Sequence, residues 1–293
     1  MNSFAFLLFL SVVGSEAEAR EEADELRVSS FNIRFGTAND GPDHWDHRAD
    51  LVVQVFQDQM PDIAGLQEAL KFQIDAILEA LPLYRSVGVG RDDGRDAGEF
   101  SNILYRADRF AVIDSGTFWL SDTPEEPGSS SWGNRIPRIC SWVRLREQET
   151  GALLDVYNAH LDHESAPSRF RSVEAIGKHI AERSEPAPVI FMGDFNAGES
   201  SDPLRFLRGE IEGPTGIQPP DPGLVDTFRV KHPEAEDIGT FHGFTGQPGA
   251  QKIDYIMIVP GSFEVLDAEI LRTNLEGRYP SDHFPINALL RRP

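Results

Sequence analysis

Short apolar segments rich in β-branched and aromatic residues recur along this chain, and six of them end or begin at an acid, an amide or a histidine. The clearest segment begins at Pro188, ends at Gly193 and is followed by Asp194 and Asn196. Runs of this composition are typical of buried strands, and stretches with helical spacing separate several of them. The pattern therefore predicts an α/β fold that brings polar side chains to one edge of a sheet.

Five other segments repeat this arrangement along the whole sequence. Three predicted strands end at Asn32, Glu68 and His160. Two more begin beside Asp254 and beside the pair Asp282 and His283. Because a single site would draw on both ends of the sequence, we expect one catalytic domain over residues 20–293. Apolar residues at helical spacing predict helices over residues 46–57, 69–81 and 167–183.

Three of these positions offer oxygen ligands for a hard divalent cation. Glu68 is a lone carboxylate after an apolar strand, Asn32 has an amide oxygen, and Asp282 is a second carboxylate. Such oxygens are the ligands that Mg²⁺ prefers, and Mn²⁺ or Ca²⁺ accepts the same groups. We predict a Mg²⁺ site here, in which Asn32 either binds the cation or holds Glu68, and Asp282 either binds or supports it.

The remaining positions suit the chemistry of phosphoryl transfer to water. Asp194 is expected to orient or deprotonate the attacking water, while Asn196 binds the phosphate or fixes Asp194. His283 is expected to contact the phosphate, with Asp254 as the carboxylate that sets its tautomer and stabilises its charged form. His160 supplies a second imidazole for the negative charge that develops during the reaction.

Each of these positions also has a structural interpretation. Asn32 could cap a turn, and Glu68 could stabilise the N-terminus of the next helix through the helix dipole. Asp194 and Asn196 could form an Asx-turn, and the two histidines could belong to the core. The spacing of any single motif does not decide between the two interpretations.

Two long polar loops and the segment after His160 supply the predicted substrate-binding residues. The loops cover residues 91–99 and 121–138, and ordered loops of this length are often functional. A guanidinium can pair with phosphate through its planar fork, and an indole can stack on a sugar, inositol or base. The predicted substrate-binding residues are Arg138, Trp132, Glu99, Asp162 and His163.

Taken together, the motifs resemble those of the endonuclease/exonuclease/phosphatase superfamily, which includes DNase I-like nucleases, inositol polyphosphate 5-phosphatases and deadenylases. The matching blocks occur in the family order and are Ser30–Asn32, Gly65–Glu68, Asn158–Leu161, Gly193–Asn196, Lys252–Tyr255 and Ser281–His283. The resemblance implies a DNase I-like fold, a four-layer αββα sandwich of two mostly antiparallel sheets flanked by helices. It also implies roles for the eight core positions close to those described above.

The charge balance bears on the choice of substrate. The chain carries 48 acidic and 27 basic residues, for a net charge of −21. Because contacts to phosphates of a polyanion normally use lysine or arginine, nucleic acid is a disfavoured partner. We expect a metal-dependent phosphoester hydrolase acting on a small or lipid-derived phosphoester, with a DNase I-like nuclease as the alternative. A non-catalytic binding module on the same fold, or a glycoside hydrolase using paired carboxylates, remains a further alternative.

The N-terminus predicts export of the protein. Residues 1–19 contain an apolar block from Phe4 to Val13 and a small-residue pattern at Ala17–Ala19, as in a signal peptide, although the segment lacks a basic residue. We therefore expect a secreted or periplasmic protein without stable membrane insertion, and a monomer. The single cysteine, Cys140, allows no disulfide within the chain and is expected to be a small buried apolar residue.

Overall fold

A computed structural model describes residues 25–293 of the protein. The signal peptide predicted at residues 1–19 lies outside the described residues. Within residues 25–293, no helix is both long and apolar enough to cross a lipid bilayer.

Twelve strands and five α-helices make up the described part of the chain. The strands are β1 (Glu25–Asn32), β2 (Ile63–Gln67), β3 (Tyr84–Val87), β4 (Ile103–Arg106), β5 (Phe110–Trp119), β6 (Ile139–Glu147), β7 (Leu153–His160), β8 (Val189–Asp194), β9 (Val225–Asp226), β10 (Asp254–Ile258), β11 (Glu264–Ile270) and β12 (Ile286–Arg291). The helices are α1 (Ala49–Gln59), α2 (Lys71–Ala80), α3 (Ala166–Ala181), α4 (Asp202–Leu207) and α5 (Thr227–Lys231).

The strands form two mixed sheets of six strands each. The first has the order β11-β12-β1-β2-β4-β3, and the second has the order β5-β6-β7-β8-β10-β9. Each sheet contains one parallel pair, β1 with β2 and β7 with β8, and its other pairs are antiparallel. The two sheets are therefore mostly antiparallel, as the family resemblance implied.

Apolar side chains pack in three layers, which together produce the four-layer αββα sandwich. Residues alternate along the strands, so that Ile190 and Met192 of β8 lie between the sheets while Phe191 faces the helices. The layer between α1 and α2 and the first sheet includes Phe56 and Leu66, and the layer beneath α3 and α4 is a separate cluster. The predicted fold class is confirmed.

The boundaries of α1 follow from local sequence. Its buried residues are Val52, Val55 and Phe56, which share one face of the helix. The helix ends at Gln59, and the next residue, Met60, adopts a left-handed conformation with φ 44° and donates its N–H to the carbonyl of Phe56. Pro61 follows and cannot continue the helix.

The two parallel pairs bring four strand ends to one edge of the sandwich. Asn158 of β7 ties the sheets together there, because its amide donates to the carbonyls of Leu66 (2.9 Å) and Asn102 (2.8 Å) and accepts from Gln67 (2.7 Å). Gly193 has φ 149°, and a Cβ at this position would lie 1.9 Å from the carbonyl oxygen of Ala159. Only glycine therefore allows β8 to approach β7 closely just before its polar end.

Candidate active site

Asp194 lies at the centre of a hydrogen-bonded cluster at this edge. Asn32, at the end of β1, donates from Nδ2 to Oδ2 of Asp194 and to Oε1 of Glu68, both at 3.0 Å. The backbone N–H of Asn196 donates to Oδ1 of Asp194 at 2.9 Å, and the Asn196 amide donates to the carbonyl of Leu161. The Asx-turn that the sequence allowed is thus present, and it orients a carboxylate that belongs to the site.

His283 and Asp254 form the ion pair that the sequence predicted. Nδ1 of His283 lies 3.0 Å from Oδ2 of Asp254, and both side chains are buried. Burial alone would lower the pKa of His283, but the carboxylates of Asp254 and Asp194 outweigh burial and raise this pKa to about 10. His283 is therefore an imidazolium at neutral pH.

Two imidazoles in different charge states face the same carboxylate oxygen. Oδ2 of Asp194 lies 3.5 Å from Nε2 of His160 and 3.8 Å from Nε2 of His283. Burial, with added repulsion from Arg138, holds the pKa of His160 well below its usual value, so His160 is neutral. Burial and the neighbouring Asp254 raise the pKa of Asp194 to about 7, a value suited to a general base.

The raised pKa of His283 predicts how stability depends on pH. Because this pKa is about 10 in the folded protein and about 6.5 in an unfolded chain, its stabilising contribution is complete below about pH 6.5 and is lost as pH rises through 10. The raised pKa of Asp194 affects stability at lower pH. Its contribution is lost as pH rises from about 3.9 to about 7, where the His283 contribution is still largely present. In EDTA, we expect the difference in melting temperature between the native protein and His283→Gln to shrink from pH 7 to pH 10. A difference that stays constant over this range would contradict the imidazolium assignment.

Glu68 and Asp282 supply carboxylates that fit a hard divalent cation. Arg34 lies 3.8 Å from Oε2 of Glu68 and 3.7 Å from Oδ2 of Asp282, and it also forms a two-point ion pair with Asp40 at 3.0 and 3.1 Å. Burial, followed by the charge of Glu68, raises the pKa of Asp282. The guanidiniums of Arg34 and Arg48 both lie near the carboxylates of Asp40, Glu68 and Asp282. Three carboxylates against two guanidiniums leave an excess of negative charge, and oxygen donors with excess negative charge suit such a cation.

A second cluster has metal-like spacing but a different chemistry. The ligand atoms of Asp194, Asp254 and His283 lie within 4.8 Å of one another. Its polar atoms already bond to one another and to their neighbours: Nδ1 of His283 lies 3.0 Å from Asp254, and Asp194 accepts from Asn32 and from the backbone of Asn196. Glu68 and Asp282 are therefore the better candidates for a cation site, with Asn32 holding Glu68 through its amide.

The opposite wall of the cleft is basic. Arg91 forms a two-point ion pair with Glu99, with both distances 2.7 Å, and Arg138 donates toward His163 at 2.8 Å. Asp162 lies 3.4 Å from Arg138 and accepts from the backbone at the start of α3. The cleft has a volume of about 520 Å³, and four of these residues line it, namely Arg91, Glu99, Arg138 and His163.

The structure brings the eight predicted core residues together and separates one predicted substrate residue from them. Trp132 lines a neighbouring groove of about 810 Å³. Asp162 supports the cleft wall, because it contacts Arg138 and accepts from the backbone N–H of Ser165. Cys140 is fully buried in the layer beneath α3, as expected. Sequence reasoning did not include Arg34 and Arg91, although Arg34 stands two residues after Asn32.

Arg48 organises the site although it does not line the cleft. Its side chain is 1% exposed, and burial lowers its pKa to about 10. It donates to the carbonyls of Ile33 (2.6 Å), Arg34 (2.9 Å), Pro280 (2.9 Å) and Asp43 (2.9 Å). Arg48 therefore fastens the loop after Asn32 to the segment that leads to Asp282 and His283.

Replacing Arg48 by methionine is expected to lower the free energy of unfolding by about 3 kcal/mol or more, because four carbonyls lose their donor in a buried setting. Chemical denaturation would measure this loss, and kcat at a temperature where the variant remains folded should fall as well. The matched control is Arg85→Met, since Arg85 is exposed and also donates to backbone carbonyls. Equal stability of the two variants would contradict the role given to Arg48.

This sandwich, with acids, amides and two imidazoles at the edge of both sheets, defines a hydrolase of phosphoesters. A model of the Endonuclease/Exonuclease/phosphatase family matches residues 29–283. The chain belongs to this family.

Similar proteins support the same classification. A solved endonuclease/exonuclease/phosphatase from Bacteroides vulgatus is 31% identical, with a TM-score of 0.81, over 92% of this chain and 99% of that one. The mannosyl-6-phosphatase of Bacteroides thetaiotaomicron is 33% identical, with a TM-score of 0.78, over 90% and 99% of the two chains. Nocturnin of Drosophila melanogaster is 23% identical over 95% of this chain but only 48% of its own length.

Proposed function

We propose that the protein is a Mg²⁺-dependent phosphoester hydrolase that transfers the phosphoryl group of a small phosphoester, with a sugar phosphate as the best candidate, to water. The observation that carries this proposal is the placement of Asp194. Its carboxylate, whose pKa is near 7, lies at the cleft between a neutral and a charged imidazole and is held by two hydrogen-bond donors. This arrangement suits activation of a water molecule.

Each side chain of the site has a separate role in the proposed reaction. Asp194 accepts the proton of the attacking water, and Asn32 and the backbone of Asn196 keep its oxygens oriented. The imidazolium of His283, fixed by Asp254, stabilises negative charge on the phosphoryl group. No step requires a serine or cysteine nucleophile.

Glu68 and Asp282 would hold the divalent cation, with the Asn32 amide orienting Glu68. When bound, the cation polarises a phosphoryl oxygen and offsets the charge that develops on the leaving oxygen. Mg²⁺ suits carboxylate ligands of this kind, and Mn²⁺ would replace it readily.

Two buried donors without a hydrogen-bond partner among the described residues support a small anionic substrate. They are Nη1 of Arg138 and Nε of Arg91, and both residues line the cleft. A buried donor without a partner costs free energy, so these atoms favour a ligand rich in acceptors. Phosphate oxygens and sugar hydroxyls meet this need, and Glu99 can accept from a hydroxyl group.

The choice of a sugar phosphate also draws on the similarity to the mannosyl-6-phosphatase, which covers nearly the whole of both chains. The cleft volume of about 520 Å³ suits a ligand of this size. The net charge of −21 favours a small substrate over a nucleic acid. We further propose that residues 1–19 direct the chain out of the cytoplasm, which N-terminal sequencing of the exported protein would test.

A substrate panel tests the proposed function. The protein is incubated with Mg²⁺, Mn²⁺ or EDTA and with mannose 6-phosphate, bis-p-nitrophenyl phosphate or plasmid DNA. We expect cation-dependent release of inorganic phosphate from mannose 6-phosphate, abolished in Glu68→Gln. Plasmid nicking without hydrolysis of the small esters would identify a nuclease instead. Cation binding without turnover of any substrate would favour a non-catalytic module and overturn the proposal.

A further inference from the structure

A second cavity adjoins the catalytic cleft and is larger than it. This groove, which we call the α3–α4 groove, lies beside the first turns of α3 and α4 and has a volume of about 810 Å³. Its walls are mainly apolar and include Trp132, Phe170 and Pro203. An apolar groove of this size with a few polar groups is typical of a site for an organic ligand.

Asn196 connects the groove to the catalytic cleft. This residue lines both cavities, and its backbone N–H orients the proposed general base Asp194. A substrate whose phosphate lies beside Asp194 would therefore extend past Asn196 into the groove. The groove is thus positioned for the part of the substrate that carries the phosphate.

Trp132 is held firmly as one wall of the groove. Its indole Nε1 donates to Asp122 at 2.8 Å, and its carbonyl accepts from the hydroxyl of Ser165 at 2.8 Å. The guanidinium of Arg171 lies 4.7 Å from the ring centre and also contacts Asp122. The residue adopts φ 60°, a backbone conformation that is uncommon outside glycine and that these contacts stabilise.

Polar groups line the same groove as this aromatic wall. The hydroxyl of Ser201 is buried and has no hydrogen-bond partner among the described residues. A Cβ at Gly198 would lie 2.4 Å from Oε1 of Gln251, so the glycine allows this amide to lie directly over the backbone at the groove floor. A ring with one apolar face and hydroxyl groups at its edge satisfies both kinds of wall.

We infer that the α3–α4 groove is a subsite for a second sugar ring, joined to the phosphorylated sugar that occupies the catalytic cleft. The inference rests on the proposed function and narrows it, because it makes a phosphorylated oligosaccharide a better substrate than the free sugar phosphate. The apolar face of the ring packs on Trp132, and its hydroxyl groups bond to Ser201 and Gln251.

The test compares the hydrolysis of two substrates by the protein. One is mannose 6-phosphate, and the other is a mannose disaccharide with the phosphate on position 6 of its non-reducing sugar. We expect kcat/KM to be higher for the disaccharide, and Trp132→Ala to reduce the ratio of disaccharide to monosaccharide kcat/KM by about tenfold, mainly through KM. Gln251→Ala, at an exposed position, should reduce this ratio by about threefold without risk to folding.

The matched control is Val230→Ala, which removes an exposed apolar side chain from a different groove and should leave the ratio unchanged. The inference would be overturned if the ratio of disaccharide to monosaccharide kcat/KM were the same in Trp132→Ala, Gln251→Ala and the native protein, with melting temperatures retained. The proposed function would then remain intact. A preference for an alkyl phosphate over the disaccharide, lost in Trp132→Ala, would also overturn it, since the groove would then serve a lipid chain. Hydrolysis of neither sugar phosphate would contradict the proposed function itself.

Discussion

Asp194→Asn is expected to lower kcat by about 10³-fold or more while the fold remains intact, because an amide cannot accept the proton of the attacking water. Asparagine keeps the shape of the side chain, and its oxygen can still accept from Asn32 or the backbone of Asn196. Burial raises the pKa of Asp194 to about 7, so its ionised form opposes folding at higher pH. The variant should therefore be at least as stable as the native protein at pH 8 in EDTA.

A matched control separates catalysis from folding. Asp155 is also buried, but it lies near the start of β7, away from the candidate active site. There it pairs with Arg144 and Arg183. Asp155→Asn should lower the melting temperature, because two arginines lose their carboxylate, and should keep kcat within a few-fold. If Asp194→Asn retained near-native kcat at saturating cation, Asp194 could not be the general base.

Glu68→Gln is expected to weaken cation binding by about 10²-fold or more, since the change removes a full negative charge from the proposed cation ligand. Glutamine can still accept from Asn32, so the local geometry should persist. Arg34, 3.8 Å from this carboxylate, would then repel the cation more effectively. Isothermal titration with Mg²⁺ or Mn²⁺ measures the effect without any substrate.

Activity gives an independent measurement of the same change. At low Mg²⁺ the turnover of Glu68→Gln should be lost, and raising the Mg²⁺ concentration should restore part of it. Glu79→Gln, the same substitution at an exposed position of α2, should leave both cation affinity and turnover unchanged. Native cation affinity in Glu68→Gln would place the cation elsewhere, with the cluster of Asp194, Asp254 and His283 as the next candidate.

The three predicted helices agree with the structure to within a few residues, whereas the short helices α4 and α5 were not predicted. The predicted helix over residues 69–81 is α2 (Lys71–Ala80), and the one over residues 167–183 is α3 (Ala166–Ala181). The helix predicted over residues 46–57 begins later, at Ala49, because a 3₁₀ turn occupies Trp45–His47. This agreement is expected, because apolar spacing and flanking prolines are local signals that set where a helix begins and ends.

Arginines were the main omission from the predicted site. Arg34, Arg48 and Arg91 lie in loops, where no strand or helix period reveals which way a side chain points. Arg48 acts through carbonyls up to 232 positions away in the sequence, and Arg91 acts through an ion pair with Glu99. Contacts of this kind depend on how loops cross in space.

The sequence by itself determined the strands, the order of the motifs and the residue types at their ends, because strand periodicity and the chemistry of acids, amides and histidines are local properties. Tertiary structure decided which carboxylate we propose as the general base and which we propose as cation ligands. That distinction depends on burial and on neighbouring charge, which set Asp194 beside two imidazoles and placed Glu68 and Asp282 around Arg34. It also placed Trp132 in a groove beside the cleft, a position fixed by its contacts with Asp122 and Ser165.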